Sequence, residues 1–126
     1  MHMCTYLENK LLDHVLRNIP YTPPSTLYVA LLTGDPGEEG DIGTEVADPA
    51  YSRQILSFGE PENGKIKTIY DVEFPQASED WGEITHILIM DEENNPLFYG
   101  PLNTPKTITA DDIFKIPLGN LTIELD

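Results

Sequence analysis

Beyond residue 20 this chain never sustains an apolar pattern for long. A proline, a glycine or a cluster of Asp and Asn interrupts every run within a few residues. Proline removes a backbone donor and fixes φ, and glycine loosens the chain, so such punctuation rules out long helices there. What it permits is short strands. Leu27-Tyr28-Val29-Ala30-Leu31-Leu32 is almost wholly apolar, as expected of a strand covered on both faces. Residues 52–58 form the next candidate, ended by Gly59 and Pro61, and Asn63-Gly64 marks a tight turn. Residues 66–74, 83–90, 97–99, 106–109 and 113–116 follow as β-rich pieces, and residues 121–126 close the chain with clean alternation. His86 alternates with Ile84 and Leu88, which places it on an apolar strand face as a hydrogen-bonded structural histidine.

The opening segment is different. Leu7, Leu11, Leu12, Val15, Leu16 and Ile19 recur at helical spacing until Pro20 stops them. Thr5-Tyr6-Leu7-Glu8 reads as a capping box, with Thr5 as N-cap and Glu8 reaching back. One amphipathic helix over about residues 6–18 is expected, its stripe laid on a β-structure spanning about residues 26–126. Seven or eight short strands, with turn signals roughly every 8–12 residues, predict a mainly β fold: an antiparallel β-sandwich, jelly-roll-like, in one domain. The helix would cap the sandwich or cover an open edge. No βα rhythm is present, which argues against a nucleotide-binding α/β fold.

Charge limits the partners. The chain carries 22 acids against 7 bases, a formal net charge of −15. Nucleic-acid backbones and anionic membranes both demand a positive footprint, so neither is an expected partner. No apolar run is long enough to cross a membrane as a helix. The first residues lack the basic and apolar regions of a signal peptide, so folding in a cytoplasm is expected. Cys4 is the only cysteine, so no internal disulfide can form, and it reads as an unremarkable thiol.

The chemistry-bearing patterns are sparse. Nucleophile-elbow, phosphate-loop and His-Glu-x-x-His signatures are all missing, and His2, His14 and His86 stand apart in sequence. Asp91-Glu92-Glu93 reads as a solvated hairpin tip. No enzyme, cofactor or catalytic residue is expected. Trp81, Tyr99 and Tyr51 lie near strand ends; they are either core packing or a sugar-stacking platform.

Residues 34–49 hold six acids and no base. Counted from Asp35 as a calcium loop, Gly40 falls correctly at the sixth position. Gly37 at the third and Val46 at the twelfth stand where ligands should be. Loose calcium coordination by these carboxylates competes with a second reading, an extended arm that orders on a partner. In that reading Asp35, Glu38, Glu39, Asp41, Ile42 and Val46 form the partner interface, and deleting residues 37–43 weakens assembly without unfolding the chain.

Several phrases in order carry a resemblance: Tyr6-Leu7-Glu8-Asn9, Leu12-Asp13-His14-Val15-Leu16-Arg17, Tyr51-Ser52-Arg53-Gln54, Trp81-Gly82, Leu97-Phe98-Tyr99-Gly100 and Pro105-Lys106-Thr107-Ile108. Together they resemble a family of small tailed-bacteriophage virion proteins, tail-fibre-like or capsid decoration-like. The acidity of Asp91, Glu92 and Glu93 departs from that pattern. The resemblance implies a non-enzymatic structural protein of the virion. The reading favoured at this level is a capsid decoration or cement protein bound to the major capsid protein as a homotrimer. The alternative is a tail-fibre or glycan-binding receptor module.

Overall fold

A computed structural model describes residues 1–125; Asp126, the last residue of the expected terminal strand, lies outside the described residues. In chain order the elements are β1 (His2–Met3), α1 (Thr5–Leu16), β2 (Leu27–Leu32), β3 (Gln54–Leu56), β4 (Lys65–Lys67), β5 (Val72–Glu73), β6 (Gly82–Asp91), β7 (Pro96–Ile108), β8 (Lys115–Ile116) and β9 (Thr122–Glu124). The fold is mainly β and antiparallel, with one helix near the start, as the sequence predicts. Nine strands are found among the described residues where seven or eight are expected.

Five strands form one sheet in the order β1-β7-β6-β2-β3. The other four pair as two ribbons, β4 with β9 and β5 with β8. Both ribbons lie over one face of the sheet. Val72 and Ile116 of one ribbon and Ile66 and Ile123 of the other pack with Val29, Leu31, Ile84, Ile87 and Ile89 of the sheet. The opposite face buries a smaller cluster, Cys4, Ala30, Leu32, Leu88, Met90 and Tyr99. β2 therefore has apolar partners on both sides, which is why its six residues show no polar alternation.

Local sequence explains most turns. Asn63 and Gly64 both adopt positive φ, 54° and 77°, the combination a two-residue hairpin turn requires. Asp91 is buried rather than a solvated tip, because its carboxylate accepts from the Glu93 and Asn95 amides and closes the β6–β7 hairpin. β7 runs through Pro101 and Pro105, joining two pieces that read as separate strands. β1 pairs only with Phe98 and Tyr99, so beyond them β7 has a strand on one side alone, where a missing amide costs little.

Two local expectations fail for tertiary reasons. α1 starts one residue and ends two residues before the expected bounds, and its N-cap is Cys4, with no side-chain cap bond. The Cys4 amide instead continues the β1 pairing by donating to the Leu97 carbonyl, and the Thr5 amide donates to the Glu38 carbonyl. The amide that a capping box would serve is already satisfied. His86 does not share a face with Ile84. A register irregularity between Ile84 and His86 shifts the alternation, so Ile84 faces the larger cluster while His86 sides with Leu88.

Candidate interaction surface

The acidic loop is folded onto its own chain. Asp35 and Asp41 each accept from the amide two residues on, at Gly37 and Gly43, which sets successive tight turns. Gly40, with φ 70°, sits so near the β6–β7 hairpin that a Cβ there would lie 2.4 Å from the Pro96 ring. The Glu38 carbonyl holds the start of α1. Farther along, the Val46 amide donates to the Leu31 carbonyl and Glu45 bridges Leu32, extending the sheet edge where β3 has ended. The extended-arm reading is corrected accordingly. Of the expected interface residues, Asp35, Glu38, Glu39, Asp41 and Ile42 are exposed, but Val46 is buried in the molecule's own core. Among the described residues no three His, Cys, Asp or Glu groups converge as metal ligands, and Asp35, Asp41, Glu45 and Asp48 each turn to a separate task.

Two of those tasks are structural nodes. Asp48 is only 4% exposed. Its carboxylate accepts from the Ala50, Ser78 and Glu79 amides, the Ser78 hydroxyl and, at 2.8 Å, the Trp81 indole. Burial alone would push this carboxyl up, but the hydrogen bonds from Ser78, Ala50 and Trp81 outweigh it and hold it far below the usual range. Glu45 makes the second node. It receives two bonds from the Arg53 guanidinium, at 2.8 and 2.9 Å, and one from the Tyr51 hydroxyl at 2.7 Å. Burial raises the Glu45 carboxyl, yet Arg53 and Tyr51 bring it below its ordinary value, while burial and Glu45 push the Tyr51 phenol far up.

Tyr51 also accepts from the Leu31 amide at 3.0 Å, finishing the open side of β2. Tyr51→Phe leaves that amide unpaired and removes a donor to Glu45. A loss of about 1–3 kcal/mol in unfolding free energy is expected in urea titration; an unchanged midpoint would show that water replaces the hydroxyl.

The aromatic trio does not make a sugar platform. Trp81 and Tyr99 are buried and Tyr51 is half-buried. The Trp81 indole meets the Tyr51 ring edge-on at 5.6 Å, and Tyr99 belongs to the cluster on the opposite face of the sheet. Both rings are spent on packing, and their burial leaves no shared face for a ring to stack on. Cys4 is buried, and burial followed by Glu8, Glu39 and Glu38 pushes its thiol up to about 11, which suits an unreactive thiol.

The apolar stripe of α1 is also placed unexpectedly. Only Leu7 is buried, turned to the sheet beside β7. Leu12, Val15 and Leu16 stand 56%, 71% and 74% exposed, and Ile19 is exposed as well. Leu12, Val15 and Leu16 line a shallow groove with Met3, Glu8 and Leu11. The helix is thus fastened at its first turn and presents its remaining apolar residues outward.

A family described as Podophage GP4 fiber I protein gp80 matches residues 2–124. The chain belongs to that family. No curated protein matches it. As a member of the gp80 fibre family it is a structural component of a phage virion. Among the described residues no helix is long and apolar enough to cross a membrane.

Proposed function

We propose that this protein is a non-enzymatic structural piece of a podophage tail fibre, acting through contacts with neighbouring fibre and tail proteins. The observation that carries this reading is the fibre-family match across residues 2–124. The chemistry of the buried polar groups supports it. Asp48 and Glu45 are saturated by bonds that tie one loop to the next, and a carboxylate so held is neither base nor nucleophile. The cleft between the β4–β9 ribbon and the sheet, about 290 Å³, is lined mainly by apolar side chains such as Leu27, Phe58 and Ile66, with Lys65 beside them. Burial of Trp81 and Tyr99 favours scaffolding over a glycan platform built on them.

The capsid decoration alternative differs in place and number, and microscopy separates the two. Gold-labelled antibody against the purified chain should mark the tail of intact podovirus particles at a few sites. Label spread over the head would overturn the fibre assignment and restore the capsid one.

A further inference from the structure

We propose that the outward face of α1, built on Leu12, Val15 and Leu16, is a seam at which copies of this chain join. The inference does not depend on where in the virion the protein sits.

Three observations lead to it. First, the helix is apolar on two sides. Leu7 turns to the sheet while Leu12, Val15 and Leu16 turn away from it. A helix apolar over so much of its circumference belongs in an interior, so the outer side calls for a cover. Second, the helix is short. The Cys4 and Thr5 amides and the Leu7 side chain hold its first turns, whereas its second half is held by the residues that follow it, through the Ile19 amide on the Asp13 carbonyl and the Tyr21 amide on His14. Twelve residues make a marginal helix in water, so a cover over the second half stabilises the element itself.

Third, charge selects the occupant. Residues 1–24 contain two acids, Glu8 and Asp13, and two bases, Lys10 and Arg17. This segment is neutral, and the whole −15 lies in the remainder of the chain. Two copies repel each other across almost any other pair of surfaces. That penalty is smallest at the helix, where the segment's own charges balance and the apolar groove carries a single acid, Glu8. A basic partner would gain most on the acidic body instead, so an uncharged stripe fits an identical chain better than an oppositely charged one.

One helix face is small beside the roughly 800 Å² per partner of a standard interface, so isolated copies should associate weakly and reversibly. Sedimentation equilibrium on the full chain from about 10 μM to about 1 mM reads this range. The average mass should climb from the 14.1 kDa of one chain towards multiples of it. Raising the salt should strengthen association, because it screens the repelling bodies and leaves apolar contact intact. Val15→Glu with Leu16→Glu should hold the mass at one chain throughout. Leu118→Glu, at an exposed apolar position remote in sequence, should behave as the parent does. If the double variant fails a circular-dichroism check of folding, Leu12→Lys alone carries the same expectation. A parent chain of monomer mass at the highest concentration and salt overturns the proposal, as does a folded helix variant that assembles like the parent.

Discussion

Asp48→Ala should lower the melting temperature by roughly 10 °C or more, the largest loss expected from any single polar side chain here. One carboxylate accepts from three backbone amides, one hydroxyl and the Trp81 indole, so its removal orphans donors in two segments at once. The end of the acidic loop then loses its tie to residues 78–81, and Trp81 loses the bond that sets its ring against Tyr51. Acid should mimic the substitution. The folded carboxyl titrates below its unfolded value, which is near 3.9, so its contribution is complete above that value. The contribution is lost as the pH falls through the folded value. Calorimetry from pH 7 downward should show the parent losing stability below about pH 4, with the Asp48→Ala curve flatter over the same interval. A variant melting within a couple of degrees of the parent would mean that water substitutes for the carboxylate.

Removing residues 1–20 should cost more than any point substitution, and should cost solubility along with stability. The segment supplies β1, which pairs with Phe98 and Tyr99, and Cys4 and Leu7, which cover one face of the sheet. Without it Ala30, Leu32, Leu88, Met90 and Tyr99 face water together, and β7 offers a bare edge along its first half. An open edge beside an apolar face is a template for aggregation. Size-exclusion chromatography should find the truncated chain in the void volume, with strong binding of a hydrophobic dye. A soluble, folded truncation would instead make the segment a detachable arm.

Much of the scaffold is written in local sequence. The span of α1, the doubly buried β2 and the Asn63-Gly64 turn follow from periodicity and from φ requirements that involve only neighbours. What escaped is settled by distant partners. Thr5 looks like an N-cap, but the Glu38 carbonyl serves its amide. His86 looks apolar-facing beside Ile84, but an irregularity at the intervening residue turns the strand over. The functional surface was harder to read. Nothing local separates buried Asp48 from exposed Asp35 or Asp41, since burial comes from Ser78 and Trp81 thirty positions away. One signal does lie in the sequence: Arg53 is the only base between Arg17 and Lys65, and a lone guanidinium among acids is an ion pair waiting for its carboxylate.

The pairing pattern also orders events in time. β6 and β7 meet across a short turn, so that hairpin closes at little entropic cost. β1 meets β7 only after nearly the whole chain has been gathered, because His2 pairs with Tyr99 and Met3 with Phe98. By contact order the first twenty residues are expected to dock late. Until they do, the same segment of a neighbouring copy competes for the vacant edge of β7, and crowded synthesis of a virion component is when that competition is keenest.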